Sequence, residues 1–84
     1  MEKLIGKVTH YFNKIGVSVV ELTDGELKVG DTIHIKGHTS DLTQTVNSMQ
    51  IEHEAIEKAK KGDSVGLKVD SVVHEHDEVY LVTE

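Results

Sequence analysis

"LKVGDTIHIKG", Leu27 to Gly37, decides the fold. It begins as a turn and ends as a strand. Gly30 can take a positive φ without steric cost, and Asp31 can bond the backbone downstream of itself and fix the corner. Beyond the corner, Ile33 and Ile35 fall on one face of a strand, and Thr32, His34 and Lys36 on the other. Leu27 and Val29 are expected to point inward just before it. The segment is the corner of a sheet that bends back on itself.

Outward from this corner, short alternating runs dominate. "KLIGKVTHYF" and "GVSVVEL" read as two strands before it, and "TDGELKVGD" as the turn-rich link, with Asp24-Gly25 and Gly30-Asp31 as breaks. After it come "HTSDL", a polar loop, and "TQTVNSMQIEH", one long strand with a weaker middle. "EAIEKAKKGD" departs from alternation. Ala55, Ile56 and Ala59 sit at helical spacing, which predicts a helical turn or a structured loop, with at most one turn over 54–61. "SVGLKV" is a strand whose Gly66 marks a bulge or a close backbone approach. "HEHDE" is a turn and "VYLV" the last strand. The expectation is an all-β chain, a small closed antiparallel β-barrel of six or seven strands, forming one domain over 1–84. No internal repeat stands out.

Composition narrows the function. The chain has 84 residues, no Cys and no Arg, a formal charge of −6 and nine Lys. A domain this small buries only about 60–65% of its unfolded surface, so its core or a partner must suffice. Absence of Cys fits a cytoplasmic protein, and no apolar run or signal-like start points to a membrane. Residues 1–37 balance five Lys against five acids, whereas 38–84 hold four Lys against ten acids. Such a chain is a poor general nucleic-acid binder, and any RNA contact belongs on the first half.

Taken together, Gly25, Leu27-Lys28-Val29-Gly30-Asp31, Ile33-His34-Ile35 and Ala59-Lys60-Lys61-Gly62-Asp63-Ser64-Val65-Gly66-Leu67 resemble the second domain of translational GTPases of the elongation factor Tu type. A similar barrel accompanies RNA-modification enzymes of the U32 peptidase type. The resemblance covers about residues 4–83. It implies structural turns at Gly25, Gly30, Asp31, Gly62, Asp63 and Gly66. No GxxxxGK[ST] phosphate loop is present, so GTP binding is not expected.

In aminoacyl-tRNA carriers of this kind the barrel helps hold the aminoacylated 3′ end. Position by position, Lys14 falls on one arginine of that region, Glu21 on a second, His53 near a third, and Ser64 on an asparagine. Lys14 keeps a charge and Glu21 reverses one, so charged tRNA should not be held in the carriers' manner. An outward Tyr11 near Lys7 and Lys14 could stack on a base. The candidate RNA-binding set is therefore Lys7, Tyr11, Lys14, His53 and Ser64.

Other constellations carry less. His74 and His76, two residues apart, would face the same way on a strand and could share an ion, but the segment reads as a solvated turn with no third ligand at a defining spacing, so no metal is expected. His10 and His34 read as outward strand residues. Glu52, Glu54 and Glu57 lie among Lys58, Lys60 and Lys61 and read as a charged loop or helix face. The leading expectation is a binding module of translation or RNA modification, with no enzyme activity and no cofactor, partnered by tRNA, rRNA or a protein of those systems. The alternatives are a docking module for a GTPase or RNA-modifying enzyme without RNA contact, and a small metal- or ligand-binding barrel.

Overall fold

The structure, a computed structural model, describes residues 1–83; Glu84, the last position of the expected domain, lies outside the described residues. All regular structure is β, in ten elements: β1 (Glu2–Phe12), β2 (Val17–Leu22), β3 (Glu26–Lys28), β4 (Thr32–Lys36), β5 (Asp41–Thr45), β6 (Met49–Ile51), β7 (Glu54–Ile56), β8 (Lys58–Lys60), β9 (Ser64–Lys68) and β10 (Glu78–Val82). Eight form one antiparallel sheet in the order β5-β4-β10-β1-β2-β9-β6-β7, and β3 pairs with β8. The molecule measures 30 × 28 × 20 Å. No helix among the described residues is long and apolar enough to cross a membrane.

Alternation puts Ile33 and Ile35 of β4, Val20 and Leu22 of β2, and Val65 and Leu67 of β9 into one core, each at most 1% exposed. Burying a side chain of this kind contributes about 1.5–3 kcal/mol. Gln44 of β5 also turns inward. Its Nε2 donates to the Lys68 carbonyl at 2.8 Å and its Oε1 accepts from the Asp70 amide at 2.8 Å. One side-chain amide thereby ties the edge strand β5 to the chain leaving β9. Among the described residues no backbone ladder joins β5 to β7.

Several expectations change. There is no helical turn at 54–61: the segment forms β7 and β8, separated by Glu57. The long strand of 43–53 is two strands, and Asp41 and Leu42, read as loop, start β5. Val29 is 40% exposed, whereas Leu27 is fully buried. Gly66 sits in regular register opposite Val19 and Gln50, with no bulge. The register shifts lie instead in β1, between Leu4 and Gly6 and between Val8 and His10.

The chain also contains a repeat that sequence reading missed. "KVGDTIHIK" (28–36) and "KKGDSVGLK" (60–68) share Lys, Gly, Asp, a hydroxyl residue, branched apolar positions and a final Lys. Each makes the same corner. In the first, the Asp31 carboxylate accepts from Lys28 N at 3.0 Å and Asp31 N donates to the Lys28 carbonyl at 3.1 Å; in the second, Asp63 and Lys60 repeat both bonds at 3.0 and 2.9 Å. The aspartates thus cap backbone upstream of themselves, not downstream as expected. Gly30 and Gly62 have φ of 99° and 97°. Val29 N reaches the Glu57 carbonyl and Lys61 N the Gly25 carbonyl, at 2.9 and 3.0 Å. Val46 exchanges bonds with the first corner as Leu22 does with the second. Since Leu27 faces Ala59 in the β3–β8 ladder, a local two-fold relates the two corners.

Candidate functional site

The two-fold places His34 of β4 where Gly66 stands in β9. The His34 imidazole covers its face of the sheet, while at Gly66 the Gln50 side chain closes over the backbone: an added Cβ would come within 3.1 Å of Gln50 Cγ and 3.6 Å of Val17 Cγ1. Beside it runs a groove of about 220 Å³, lined by Phe12, Ile15, Val17, Val19, Gln50, Glu52, His53, Ser64 and Gly66. β2 supplies the valines of its outer face. β1 and the turn after it supply Phe12 and Ile15, which are 45% and 60% exposed. His10 packs its ring 5.3 Å from that of Phe12.

The opposite lip is the β6–β7 hairpin. Its two turn residues, Glu52 and His53, have φ of 51° and 67°. A two-residue hairpin with both central residues at positive φ favours Asn-Gly, and neither Glu nor His is at ease there. Strained backbone of this kind persists where its surroundings enforce it, and it gathers at functional sites.

Of the sequence-derived set, His53 and Ser64 meet in this groove. Tyr11 and Lys14 line an adjoining hollow of about 270 Å³ that shares Phe12 and Ile15 with it. Tyr11 is not the outward aromatic. It packs half-buried against the core, and Phe12 points outward instead. Lys7 is not among the residues lining the groove or the hollow. It stands on β1 opposite Glu21 of β2 and Glu78 of β10, so its charge is flanked by acids. Sequence reading missed Phe12, Ile15, Val17 and Val19 as groove residues. The bulge in β1 hid Phe12, Ile15 lies in the turn, and Val17 and Val19 are the alternate, less buried positions of β2.

A second polar cluster joins the 37–40 loop to the 74–77 turn. Ser40 Oγ lies 2.8 Å from His74 Nδ1, and the Asp77 carboxylate accepts from His74 N at 2.8 Å. Ser, His and Asp together suggest a nucleophilic triad. The geometry differs: the same Nδ1 faces Asp77 Oδ2 at 4.0 Å, and Ser40 is only 4% exposed. A triad needs one ring nitrogen on the hydroxyl and the other on the carboxylate. These residues latch the 37–40 loop to the 74–77 turn. No three His, Cys, Asp or Glu residues among those described converge as a metal site.

No family model matches the chain. It is 46% identical over 81 residues to an uncharacterised protease of Methanocaldococcus jannaschii, covering 95% of this chain and 20% of that protein. It is 36% identical over 77 residues to a collagenase of Porphyromonas gingivalis, covering 90% and 21%. The chain therefore spans about one fifth of the length of these curated relatives. Among solved structures, the C-terminal domain of a Geobacillus thermoleovorans protein described as a U32 peptidase superposes with a TM-score of 0.88 at 18% identity, over 96% of this chain and 93% of that one. GDP-bound aIF5B from Aeropyrum pernix, a translation GTPase, gives 0.63 at 14% identity, over 95% of this chain and 14% of that one. Both resemblances read from the two Gly-Asp corners, to a translational GTPase domain and to the U32-type accessory barrel, are thus found in the fold. The expectation of no enzyme activity is overturned as a general statement, because the curated relatives carry the names protease and collagenase.

Proposed function

We propose that the chain is a binding module of translation or RNA modification, in the cytoplasm, which seats an unpaired RNA base in the groove beside Gly66. The observation that supports this is the groove itself: an exposed aromatic and apolar wall, Phe12 and Ile15, facing a strained polar lip, Glu52 and His53. A base stacks on such a wall, at about 1–3 kcal/mol per base, and its polar edge meets the lip. Lys14, in the adjoining hollow, lies where the neighbouring phosphate would pass. In this reading the eight-stranded sheet curls into a closed barrel, with the Gln44 amide serving as its closing bonds. The module is one folded domain that works beside a catalytic unit, as its counterpart occupies one fifth of relatives named for catalysis.

The test is fluorescence anisotropy with a labelled oligoadenylate of about ten nucleotides. Phe12→Ala and Lys14→Glu should each weaken binding strongly, Lys7→Glu should not, and binding should fade as salt rises toward about 0.5 M. Binding indifferent to Phe12 and Lys14 would refute the groove.

A second reading is favoured by one observation. Phe12 and Ile15 are unusually exposed for apolar residues on a chain of net charge −6 without Arg. That combination suits a protein surface better than a phosphate chain. A partner retained from lysate after RNase treatment, and lost on Phe12→Ala, would support docking to a GTPase or an RNA-modifying enzyme.

A further inference from the structure

His34 lies on the outer face of the sheet, at the centre of β4, with a side chain only 15% exposed. Both of its ring nitrogens meet carboxylates. Nδ1 is 2.9 Å from Glu2 Oε2 and 3.0 Å from Oε1; Nε2 is 2.5 Å from Asp41 Oδ1. Two acceptors on opposite nitrogens require both nitrogens to carry protons, so the arrangement is that of an imidazolium. The carboxylates come from strands on either side. Asp41 begins β5, which pairs directly with β4, and Glu2 begins β1, which reaches His34 across β10.

We propose that His34, held between Glu2 and Asp41, is a proton-operated fastener for the β4–β5 edge of the sheet. β5 is the terminal strand of the ladder order, backed by β4 on one side only. Apart from the packing of Leu42 on the core, its other ties are the Gln44 amide and, just beyond its end, the bonds of Val46 to the first corner. A charged imidazole adds a bond from β5 to β4 and, through Glu2, to β1. A neutral imidazole can donate from one nitrogen only, which leaves one carboxylate facing a lone pair.

The surroundings leave His34 in control of the switch. From β1 the facing charge is Glu2; the Met1 ammonium is engaged by the Thr83 carbonyl. From β10 come Tyr80, whose ring centre is 6.2 Å away, and Glu78, which accepts the Tyr80 hydroxyl at 3.0 Å. From β5 comes Asp41, with Thr43 directly opposite His34. On β4 itself, Lys36 stands opposite Glu78 and Asp41. The hydrogen bond to Glu2, then that to Asp41, raise the His34 pKa above its ordinary value, against a smaller opposing effect of burial. A folded-state pKa raised in this way gives stabilisation that is complete below the unfolded value of about 6.5 and is lost as pH climbs through the raised one.

Hydrogen exchange and imidazole NMR titration of the whole chain test the fastener. Protection of the β5 amides, corrected for intrinsic exchange, should fall about tenfold relative to the central strand β2 between about pH 6 and about pH 8.5. In Asp41→Asn the His34 titration should move to lower pH and the loss of protection should move with it. In His34→Gln the protection of β5 should be low and independent of pH. An unchanged pH dependence in His34→Gln would overturn the proposal, and so would a His34 titrating at or below its ordinary value in the native chain.

Discussion

Gly37 and Asp77 compete for one volume: a Cβ on Gly37 would overlap the Asp77 carboxyl group. Asp77 is 4% exposed and caps His74 N, while its own carbonyl accepts Val8 N at 2.8 Å across the second bulge of β1. The latch between the 37–40 loop and the 74–77 turn therefore depends on a missing side chain.

Gly37→Ala should cost about 1–3 kcal/mol, the usual range for overpacking a filled site. Chemical denaturation measures it directly. The double variant Gly37→Ala, Asp77→Gly should lose less than the sum of the two single variants, because the overlap is then gone. Strict additivity would show that Gly37 matters for another reason.

Ser18 is the one buried side-chain polar atom among the described residues without a hydrogen-bond partner, and it is fully enclosed between β1 and β9. An unmet buried hydroxyl costs about 1–3 kcal/mol. Ser18→Ala should therefore leave the melting temperature unchanged or raise it, unlike a typical core substitution. A loss of unfolding free energy beyond about 1 kcal/mol would reveal a partner for the hydroxyl.

The twin corners should respond alike. Asp31→Ala and Asp63→Ala each remove the same cap and should each cost about 0.5–2 kcal/mol, as capping losses generally do. Gly30→Val and Gly62→Val should cost at least as much, since a β-branched residue resists a φ near +100°. Unequal losses in equilibrium unfolding would show that the two-fold is geometric and not energetic.

His53→Gly should separate stability from binding. Glycine relieves the positive φ of 67°, so the melting temperature should rise. Oligoadenylate binding should fall, since the lip loses its imidazole. If both fall together, the turn is held by contacts of the His53 side chain and not by the groove's demands.

Much of this architecture could be read from the chain, and the failures have physical causes. Gly30-Asp31 and Gly62-Asp63 were legible because a positive φ followed by a short carboxylate has few other uses. Ile33 and Ile35 were legible because one face of a strand is buried. The 54–61 segment misled because strands of three residues are too short to show a period, while Ala55, Ile56 and Ala59 happen to fit a helix. Tyr11 and Phe12 misled through parity. The bulge between Val8 and His10 reverses which residues face inward, so Tyr11 turns in and Phe12 out. The groove itself draws on β1, β2, β6 and β9 and on the turn at Glu52, and only the register between them brings these residues together.

The reciprocal bonding of the corners bears on how the chain reaches its fold. Val29 is bonded to the residue just before β8, and Lys61 to the residue just before β3, so each corner is finished by chain from the threshold of the other. Neither is a local nucleus that can form early and wait. Loop-closure entropy has to be spent before either gains its bonds, which favours slow, all-or-none folding over stepwise assembly.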